Sequence, residues 1–314
     1  MEWTDRSPRA RPGPIALLLA LALAPGCAAM GERGGRPLVP TGFKARTGSY
    51  LICTNARLEP DAPVVRQLQA VETQIHETLG LRVEVGDNPV EVYILDDRRS
   101  FEHFLTFYYP DLPHRRAFFL ANGQQRVVYT FFGDRLEEDI RHEATHALLH
   151  VAVGDIPLWL DEGLAEYFEG PGDRDGLNPE HVARLPADLA AGWSPDLARL
   201  EALKAVRQMS PRDYRESWAW VHYLLNDSRA HKAALLAYLA DLRASPEAAP
   251  LSRRLGEPGP GPMLAHLAGV RAEPVAVTAP RDPTVRLQSG PAEPAPPPRR
   301  RGLMSRFLGL FERI

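Results

Sequence analysis

The chain has 314 residues, of which 44% are hydrophobic and 25% charged, a composition typical of a folded globular protein and not of a disordered chain. Its net charge of −3 gives no support for a nucleic-acid partner, which would require a concentrated basic surface. Residues 41–245 carry 22 Lys and Arg against 31 Asp and Glu, whereas 19 of the 30 Pro lie outside this range. We therefore expect an acidic folded body between two basic, Pro-rich ends.

Residues 1–27 have the organisation of a bacterial export signal. Arg residues precede an uninterrupted apolar run over residues 15–24, which is too short to cross a bilayer as a helix, and small residues follow up to Cys27. The end of this segment resembles a lipobox, which implies lipid attachment at Cys27 and anchoring to the outer membrane, facing the periplasm of the cell envelope. An ordinary secretory signal is the alternative. Residues 28–47 are expected to form a linker.

The folded body, expected over residues 48–245, begins with a β-α-β pattern. Apolar runs at residues 49–54 and 90–95 predict two strands. Residues 62–79 between them have helical spacing, and the pattern is closed by Gly80.

A second helix and a hairpin follow. The helix is expected over residues 100–109. Residues 117–120 and 126–132 predict two strands that are joined at Asn122 and Gly123, a residue pair typical of tight hairpin turns.

From Asp134 onward the pattern is helical. Asp134 is expected to cap a helix that ends at Gly154. Further helices are expected to start at three polar residues that precede proline, namely Asn178, Ser194 and Ser210, the last of them reaching Asn226. The order predicts an α+β fold, in which a mixed β-sheet with helices is followed by an all-helical half and a site lies in the cleft between the two.

The C-terminal part is expected to lie outside the body. Residues 246–300 are rich in Pro, Ala and Gly and predict an extended linker, within which a short helical stretch at residues 262–268 can still belong to the body. Residues 301–314 place apolar side chains at helical spacing after a run of Arg. They predict a basic amphipathic helix suited to an anionic membrane surface or to a partner's groove; the alternative is that the helix folds back on the body or frays.

Residues 142–146 read His-Glu-Ala-Thr-His, which places two histidines one helical turn apart. Because residues i and i+4 project from one face of a helix, His142 and His146 can reach a single Zn²⁺ ion, with Glu143 beside its open coordination position. A catalytic zinc needs a third protein ligand. Residues 158–165 read Leu-Trp-Leu-Asp-Glu-Gly-Leu-Ala and supply acidic side chains on a predicted helix.

Together the two segments resemble the gluzincin zinc metallopeptidases, most clearly bacterial peptidase MA-like domains and, more distantly, enzymes of the aminopeptidase-N type. The resemblance covers about residues 45–245 and implies a zincin-like fold. It also implies that Glu162, the Glu before Gly in the second segment, is the third ligand of one zinc ion.

Other candidate ligands remain near these segments. Glu166, one turn after Glu162, lies at the longer spacing that resembles thermolysin-type enzymes, so it is the alternative third ligand; otherwise it supports the ligands or lies on the helix surface. Asp161 is expected to orient a histidine ligand and not to bind the metal. His150 extends the histidine row by one turn, but the helical pitch carries it away from the ion, so we expect a core or supporting residue.

Hydrolysis of a peptide bond requires a base, an acid and an oxyanion donor. Glu143 is expected to take a proton from the attacking water and to deliver it to the leaving amine. The resemblance implies Tyr214 as the oxyanion donor, with Ser217 where the family usually has Gly, and with His222 and Tyr223 as lesser candidates. In zincins the substrate peptide lies along an edge strand just before the metal-binding helix. The resemblance therefore implies that the strand expected over residues 126–132 is this edge strand and binds a peptide by strand addition.

The G-x-M-E-N segment with which aminopeptidases hold a free amino terminus is not found in residues 100–140. The sequence therefore favours a zinc-dependent endopeptidase over an exopeptidase. A catalytically silent module of the same fold, which binds zinc and docks peptides, is the alternative function.

Overall fold

The computed structural model describes residues 38–110, 112, 115–170, 172, 175–245, 247–256 and 259–270. The expected export signal with Cys27 and the helix expected over residues 301–314 lie outside the described residues. Within the part that is described, no helix combines the length and the apolar character needed to cross a membrane.

Five strands form one mixed sheet. They are β1 (Phe43–Thr47), β2 (Tyr50–Thr54), β3 (Val90–Leu95), β4 (Phe118–Asn122) and β5 (Gln125–Phe131). Their spatial order is β1-β2-β3-β5-β4, with β2, β3 and β5 parallel and the two edge strands antiparallel to their neighbours. The parallel strands are the more buried ones, as expected where helices cover a sheet.

The described residues also form ten α-helices. They are α1 (Pro63–Leu79), α2 (Arg98–Tyr108), α3 (Leu136–Ala152), α4 (Leu158–Phe168), α5 (Pro179–Ala190), α6 (Leu197–Ala202), α7 (Pro211–Asn226), α8 (Arg229–Ala244), α9 (Leu251–Arg254) and α10 (Pro260–Gly269). The mixed sheet therefore precedes a helical half, and the predicted α+β class is confirmed at this level.

The β-α-β opening is confirmed. Helix α1 connects the parallel strands β2 and β3 and ends at Gly80, whose φ of 68° is the left-handed conformation of a glycine helix stop. Helix α2 starts two residues before the predicted position because the side chain of Asp97 accepts a hydrogen bond from the Ser100 amide.

The hairpin of β4 and β5 is also confirmed, but the assignment of the edge strand was wrong. Strand β5 lies inside the sheet, paired with β3 on one side and with β4 on the other. The free edge beside it is β4, because the chain reverses at Gly123 and adds the earlier strand of the hairpin outside the later one. Residues 126–132 therefore offer no free edge for strand addition, and the unpaired edge beside them among the described strands is that of β4.

Among the helices that follow the hairpin, two of the predicted starts differ from the structure and two agree. Asn178 and Ser210 cap α5 and α7 as expected, the latter with a reciprocal bond between Ser210 and Asp213. Helix α3 begins after Arg135 without a side-chain cap, so Asp134 is not its cap. Helix α6 begins after Asp196, whose carboxylate accepts from the Arg199 amide and takes the role predicted for Ser194.

Both expected linkers were drawn too long. Strand β1 lies in residues 28–47; its alternation of half-buried and exposed residues is that of a short edge strand, which a composition argument does not detect. Helices α9 and α10 lie in residues 246–300, where Pro260 starts α10 instead of extending the chain. Met263 and Leu267 of α10 are buried in the main core, so this segment belongs to the body.

The main core joins the sheet to the helical half. Helix α3 packs against α1, α4 and the sheet, and α4 packs against α7. Trp159 of α4 and Trp218 and Trp220 of α7 are fully buried between these elements. The site described below is therefore built on helices that are fixed on several sides.

Candidate metal centre

Helix α3 presents two histidines to one point. His142 and His146 lie one turn apart, with their ring centroids separated by 5.0 Å. The first turn of α3 carries Glu137, Glu138 and Asp139, whose charges are favourable at a helix amino terminus. His146 is 8% exposed, and the side chain of His142 is 19% exposed.

Helix α4 brings a carboxylate to the same point. The chain turns back after α3 at Gly154, whose φ of 94° lies in a region that side chains with a Cβ atom rarely adopt. As a result Oε2 of Glu162 lies 3.6 Å from Nε2 of His142 and 3.6 Å from Nε2 of His146. The three side chains form a group whose ligand atoms all lie within 4.8 Å of one another.

These distances fit a zinc ion. Ligand atoms bound at about 2.0–2.1 Å in a tetrahedron are about 3.3 Å apart, close to the separation between Glu162 and each histidine. Two imidazoles and one carboxylate are the ligand set of an open, catalytic zinc site. Glu162 is 6% exposed and would be costly to bury as an ion unless a positive group lay beside it. His142, His146 and Glu162 are therefore the residues that could hold the metal.

Each histidine also has a carboxylate at its other ring nitrogen. Nδ1 of His142 hydrogen-bonds Oε2 of Glu169 at 3.1 Å, and Nδ1 of His146 lies 3.0 Å from Oδ1 of Asp161. The other oxygen of Asp161, Oδ2, accepts a hydrogen bond from His150 Nε2 at 3.3 Å. A carboxylate at Nδ1 keeps the proton on that nitrogen and leaves Nε2 free to bind a metal. Asp161 therefore lies between His146 and His150, on the side of His146 away from Glu162.

The pKa values reflect the same arrangement. Burial opposes the protonation of His146, but the negative charges of Asp161 and Glu162 outweigh it and raise its pKa to about 9. Burial likewise opposes the ionisation of Asp161, yet His146 and His150 hold its pKa below the usual range. The electrostatic environment therefore favours a positive charge between the two helices.

Glu166 and Glu169 lie on the side of His142 away from Glu162. The Asn178 side chain donates to Glu169 at 2.7 Å and to Glu166 at 3.0 Å, and Nε2 of His181 lies 2.9 Å from Glu166. The two carboxylates and His142 form a second group of potential ligand atoms within 4.8 Å. Glu166 does not belong to the first group, in which the Nε2 atoms of both histidines meet Glu162.

Sequence reasoning missed Glu169 and Arg141. Glu169 is seven residues after Glu162 and therefore on the same helical face, which was the one available signal. The buried guanidinium of Arg141 donates from Nε to the carbonyls of Phe168 and Glu169, at 2.9 and 3.1 Å, and also bonds side chains of α1. It fixes the end of α4 from which Glu169 contacts His142.

Glu143 faces a cleft next to the histidines. This cavity of about 260 Å³ is lined by residues of α3, by the residue that follows α4 and by the segment that leads into β4. The lining residues are Arg115, Arg116, Ala117, Glu138, Asp139, His142, Glu143 and Glu169. Burial raises the pKa of Glu143, whereas His142, His146 and Arg115 lower it in turn. A carboxylate so placed is able to exchange a proton with a molecule in the cleft.

Tyr214 stands at the start of α7, half-buried and close enough to the site to respond to its charges. Burial raises the pKa of Tyr214 and the charge of Glu162 raises it further, whereas Arg115 lowers it. Its hydroxyl has no hydrogen-bond partner among the described residues. The phenol therefore remains protonated and available as a donor.

His222 and Tyr223 are not brought to the site. Nδ1 of His222 lies 2.9 Å from Nε2 of His266 on α10, and the Tyr223 hydroxyl lies 3.4 Å from Nε2 of His231. Their partners place them in a separate cluster of α7, α8 and α10.

Gly163 lets α4 approach α7 closely. A Cβ atom at Gly163 would lie 2.6 Å from the carbonyl oxygen of Ser217 and 2.8 Å from Cγ2 of Val221. Backbone atoms of a buried helix cannot move aside easily, so a side chain at Gly163 would push apart the helices that carry Glu162 and Tyr214.

No protein-family model matches the chain, and a search of the curated proteins finds no match.

Proposed function

We propose that this protein is a gluzincin-type zinc metallopeptidase with a zincin-like fold. The observation that carries the proposal is the convergence of three ligand atoms, from His142, His146 and Glu162, with a carboxylate at the second nitrogen of each histidine. A structural zinc site would be closed by a fourth protein ligand. Three protein ligands beside an open cleft favour catalysis instead.

The residues present divide the work of hydrolysis among them. A bound zinc ion would supply a Lewis acid for the scissile carbonyl and for the attacking water. Glu143, in the cleft next to His142, would take the proton of that water on its carboxylate and pass it to the leaving amine. The Tyr214 hydroxyl would donate a hydrogen bond to the oxygen that gains negative charge in the transition state.

Edge strand β4 offers a surface for the substrate backbone. Its outer edge is not paired with another described strand, and the Phe119 ring lies 5.3 Å from that of His150 and 6.5 Å from that of His146. A peptide added to β4 as a further strand would run past the site. This arrangement does not require a free amino terminus, in agreement with an endopeptidase.

The ends of the chain give the proposal a location. The export pattern of residues 1–27 and lipidation at Cys27 would hold the peptidase at the cell envelope, with residues 301–314 as a second contact to an anionic membrane surface. The substrate would then be a peptide or protein of that compartment.

The test is cleavage of a peptide library by the zinc-loaded full chain and by Glu143→Gln. We expect cleavage by the wild type and a loss of at least about a hundredfold in the variant, because general acid-base catalysis contributes that much or more. Glu137→Gln, a change of the same chemistry on an exposed residue of α3, is the matched control and should cleave like the wild type.

Zinc content separates the proposal from the silent docking module. Glu143 is not among the proposed ligands, so both variants should hold one zinc per chain. A wild type that holds zinc and binds peptides but cleaves no more than Glu143→Gln would establish the docking module and refute the peptidase.

A further inference from the structure

Two guanidinium groups line the cleft beside Glu143, and they differ in their partners. Arg116 is neutralised: Nη2 lies 2.5 Å from Oδ1 of Asp139 and 3.8 Å from Oε1 of Glu138. Arg115 has no hydrogen-bond or ion-pair partner within the described part of the chain. It is half-buried, which is an unusual state for an unpaired cation.

The backbone that follows Arg115 is held in place. The neighbouring carbonyl of Arg116 accepts from the Thr130 hydroxyl of β5 at 3.4 Å, and the Arg116 side chain is bound to Asp139 on α3. Two residues further on, edge strand β4 begins at Phe118. Arg115 thus stands where a peptide added to β4 would enter or leave the cleft.

Arg115 is also electrostatically close to the proposed catalytic groups. Its charge lowers the pKa of Glu143 and that of Tyr214, although burial dominates both and raises them. The other acidic residues of the lining are already engaged: Asp139 and Glu138 by Arg116, and Glu169 by His142 and Asn178. A negative group that enters the cleft therefore meets Arg115 as the cation without a partner.

Guanidinium is suited to one kind of ligand above others. Its planar fork of N–H donors matches the two oxygens of a carboxylate, and hydrogen bonds between two charged groups are stronger than neutral ones. A peptide carries such a group either at its carboxyl terminus or on an Asp or Glu side chain. We propose that Arg115 binds a carboxylate of the peptide substrate in the cleft next to Glu143, an inference that rests on the proposed peptidase function.

Binding and cleavage are measured separately to test this. Labelled peptides are prepared in matched pairs: Glu against Gln at each position with blocked ends, and a free against an amidated carboxyl terminus with neutral side chains. Fluorescence anisotropy gives their affinities for zinc-loaded Glu143→Gln, the form expected to hold peptides intact. The same measurement is made on the double variant that combines Glu143→Gln with Arg115→Gln. The control double variant carries Arg82→Gln instead; Arg82 is an exposed residue between α1 and β3.

We expect that in one of these pairs the peptide with the carboxylate binds about tenfold more tightly than its neutral counterpart. This is the scale of a pair of charge-assisted hydrogen bonds. Arg115→Gln should remove this preference, and Arg82→Gln should retain it. The pair that shows the preference identifies the source of the carboxylate, the terminus or a side chain. Arg115→Lys, which keeps the charge without the fork, should retain part of it and serves if Arg115→Gln does not fold.

The inference is overturned if neither pair shows a preference with Arg115 present, or if the preference survives Arg115→Gln. It is also overturned if Arg115→Gln weakens both members of each pair equally, since the residue would then act on the site and not on a substrate carboxylate. Failure of the peptidase proposal has a different signature: no zinc-dependent cleavage by the protein with Glu143 intact, while the Arg115-dependent preference in binding persists.

Discussion

Two buried histidine pairs in the helical half show opposite electrostatics. In the candidate metal centre, His142 and His146 each contact a carboxylate, and the pKa of His146 rises to about 9 despite its burial. In the second pair, His222 contacts His266, and burial together with the neighbouring imidazole lowers the pKa of His222 to about 4.

The comparison separates two effects that act on every buried imidazole. Burial alone removes the proton, because a charge is poorly solvated inside the protein. Buried carboxylates reverse this outcome and favour a positive charge at the ring. A metal ion and a proton are both stabilised by such surroundings, whereas the His222 pair suits neutral packing between α7 and α10.

The largest effect is expected where the two regions meet, at Gly163 between α4 and α7. Gly163→Ala should lower the free energy of unfolding by about 3 kcal/mol, the upper end for overpacking a buried contact, because the Cβ atom would meet the Ser217 carbonyl at 2.6 Å. Chemical denaturation measures this change. Gly269→Ala in α10, where a Cβ atom meets nothing within 4 Å, is the matched control and should be neutral or stabilising. Equal stability of the two variants would contradict the close helix contact.

The second-largest effect is expected at the carboxylates that contact Nδ1 of the two proposed histidine ligands. Asp161→Asn and Glu169→Gln should each lower zinc affinity by about 10- to 100-fold, the range typical of partners that orient a ligand from outside the coordination sphere. Competition with a chelator measures the affinity. Asp227→Asn, in the other histidine cluster, should leave zinc affinity unchanged. If Asp161→Asn also binds zinc like the wild type, the carboxylate does not prepare His146 as a ligand.

The smallest expected effect concerns the pH dependence of stability at His222. The folded-state pKa of His222, about 4, lies below the usual histidine value of 6.5. The unfolded chain therefore binds the additional proton, and stability falls as the pH drops from 6.5 towards 4. Between pH 7 and 5 this one residue should cost about 1–2 kcal/mol. Other titratable groups lie in the same cluster, namely His266, Asp227, Tyr223 and His231. The contribution of His222 is therefore taken as the difference in free energy of unfolding between the wild type and His222→Gln. If the free energies of unfolding of the two proteins differ by the same amount at pH 7 and at pH 5, the prediction is refuted.

The sequence predicted the features that are encoded locally. The i, i+4 spacing of His142 and His146 fixes their common helical face, and Asn178 and Ser210 cap helices where their position before proline indicates. The β-α-β unit was likewise predicted by the spacing of apolar residues and by Gly80 as the end of the helix.

Spatial order and long-range partners could not be read in this way. The family resemblance implied that the strand before the helix of His142 and His146 is the edge strand, but hairpin pairing placed β4 outside β5. Glu169, at the end of α4, contacts His142 of the neighbouring helix α3. Arg141 holds the end of α4 through hydrogen bonds to backbone carbonyls, which every residue has and which therefore leave no signal in the sequence. Arg115 and Arg116 look alike in sequence; only the geometry shows which of them is neutralised.

The most direct test of the peptidase account is hydrolysis in water labelled with heavy oxygen, followed by mass spectrometry of the products. The account predicts new peptide carboxyl termini that carry the heavy isotope, formed by the zinc-loaded full chain and absent from the Glu143→Gln reaction. Peptides that remain intact in the presence of a wild type with one zinc bound per chain would contradict it.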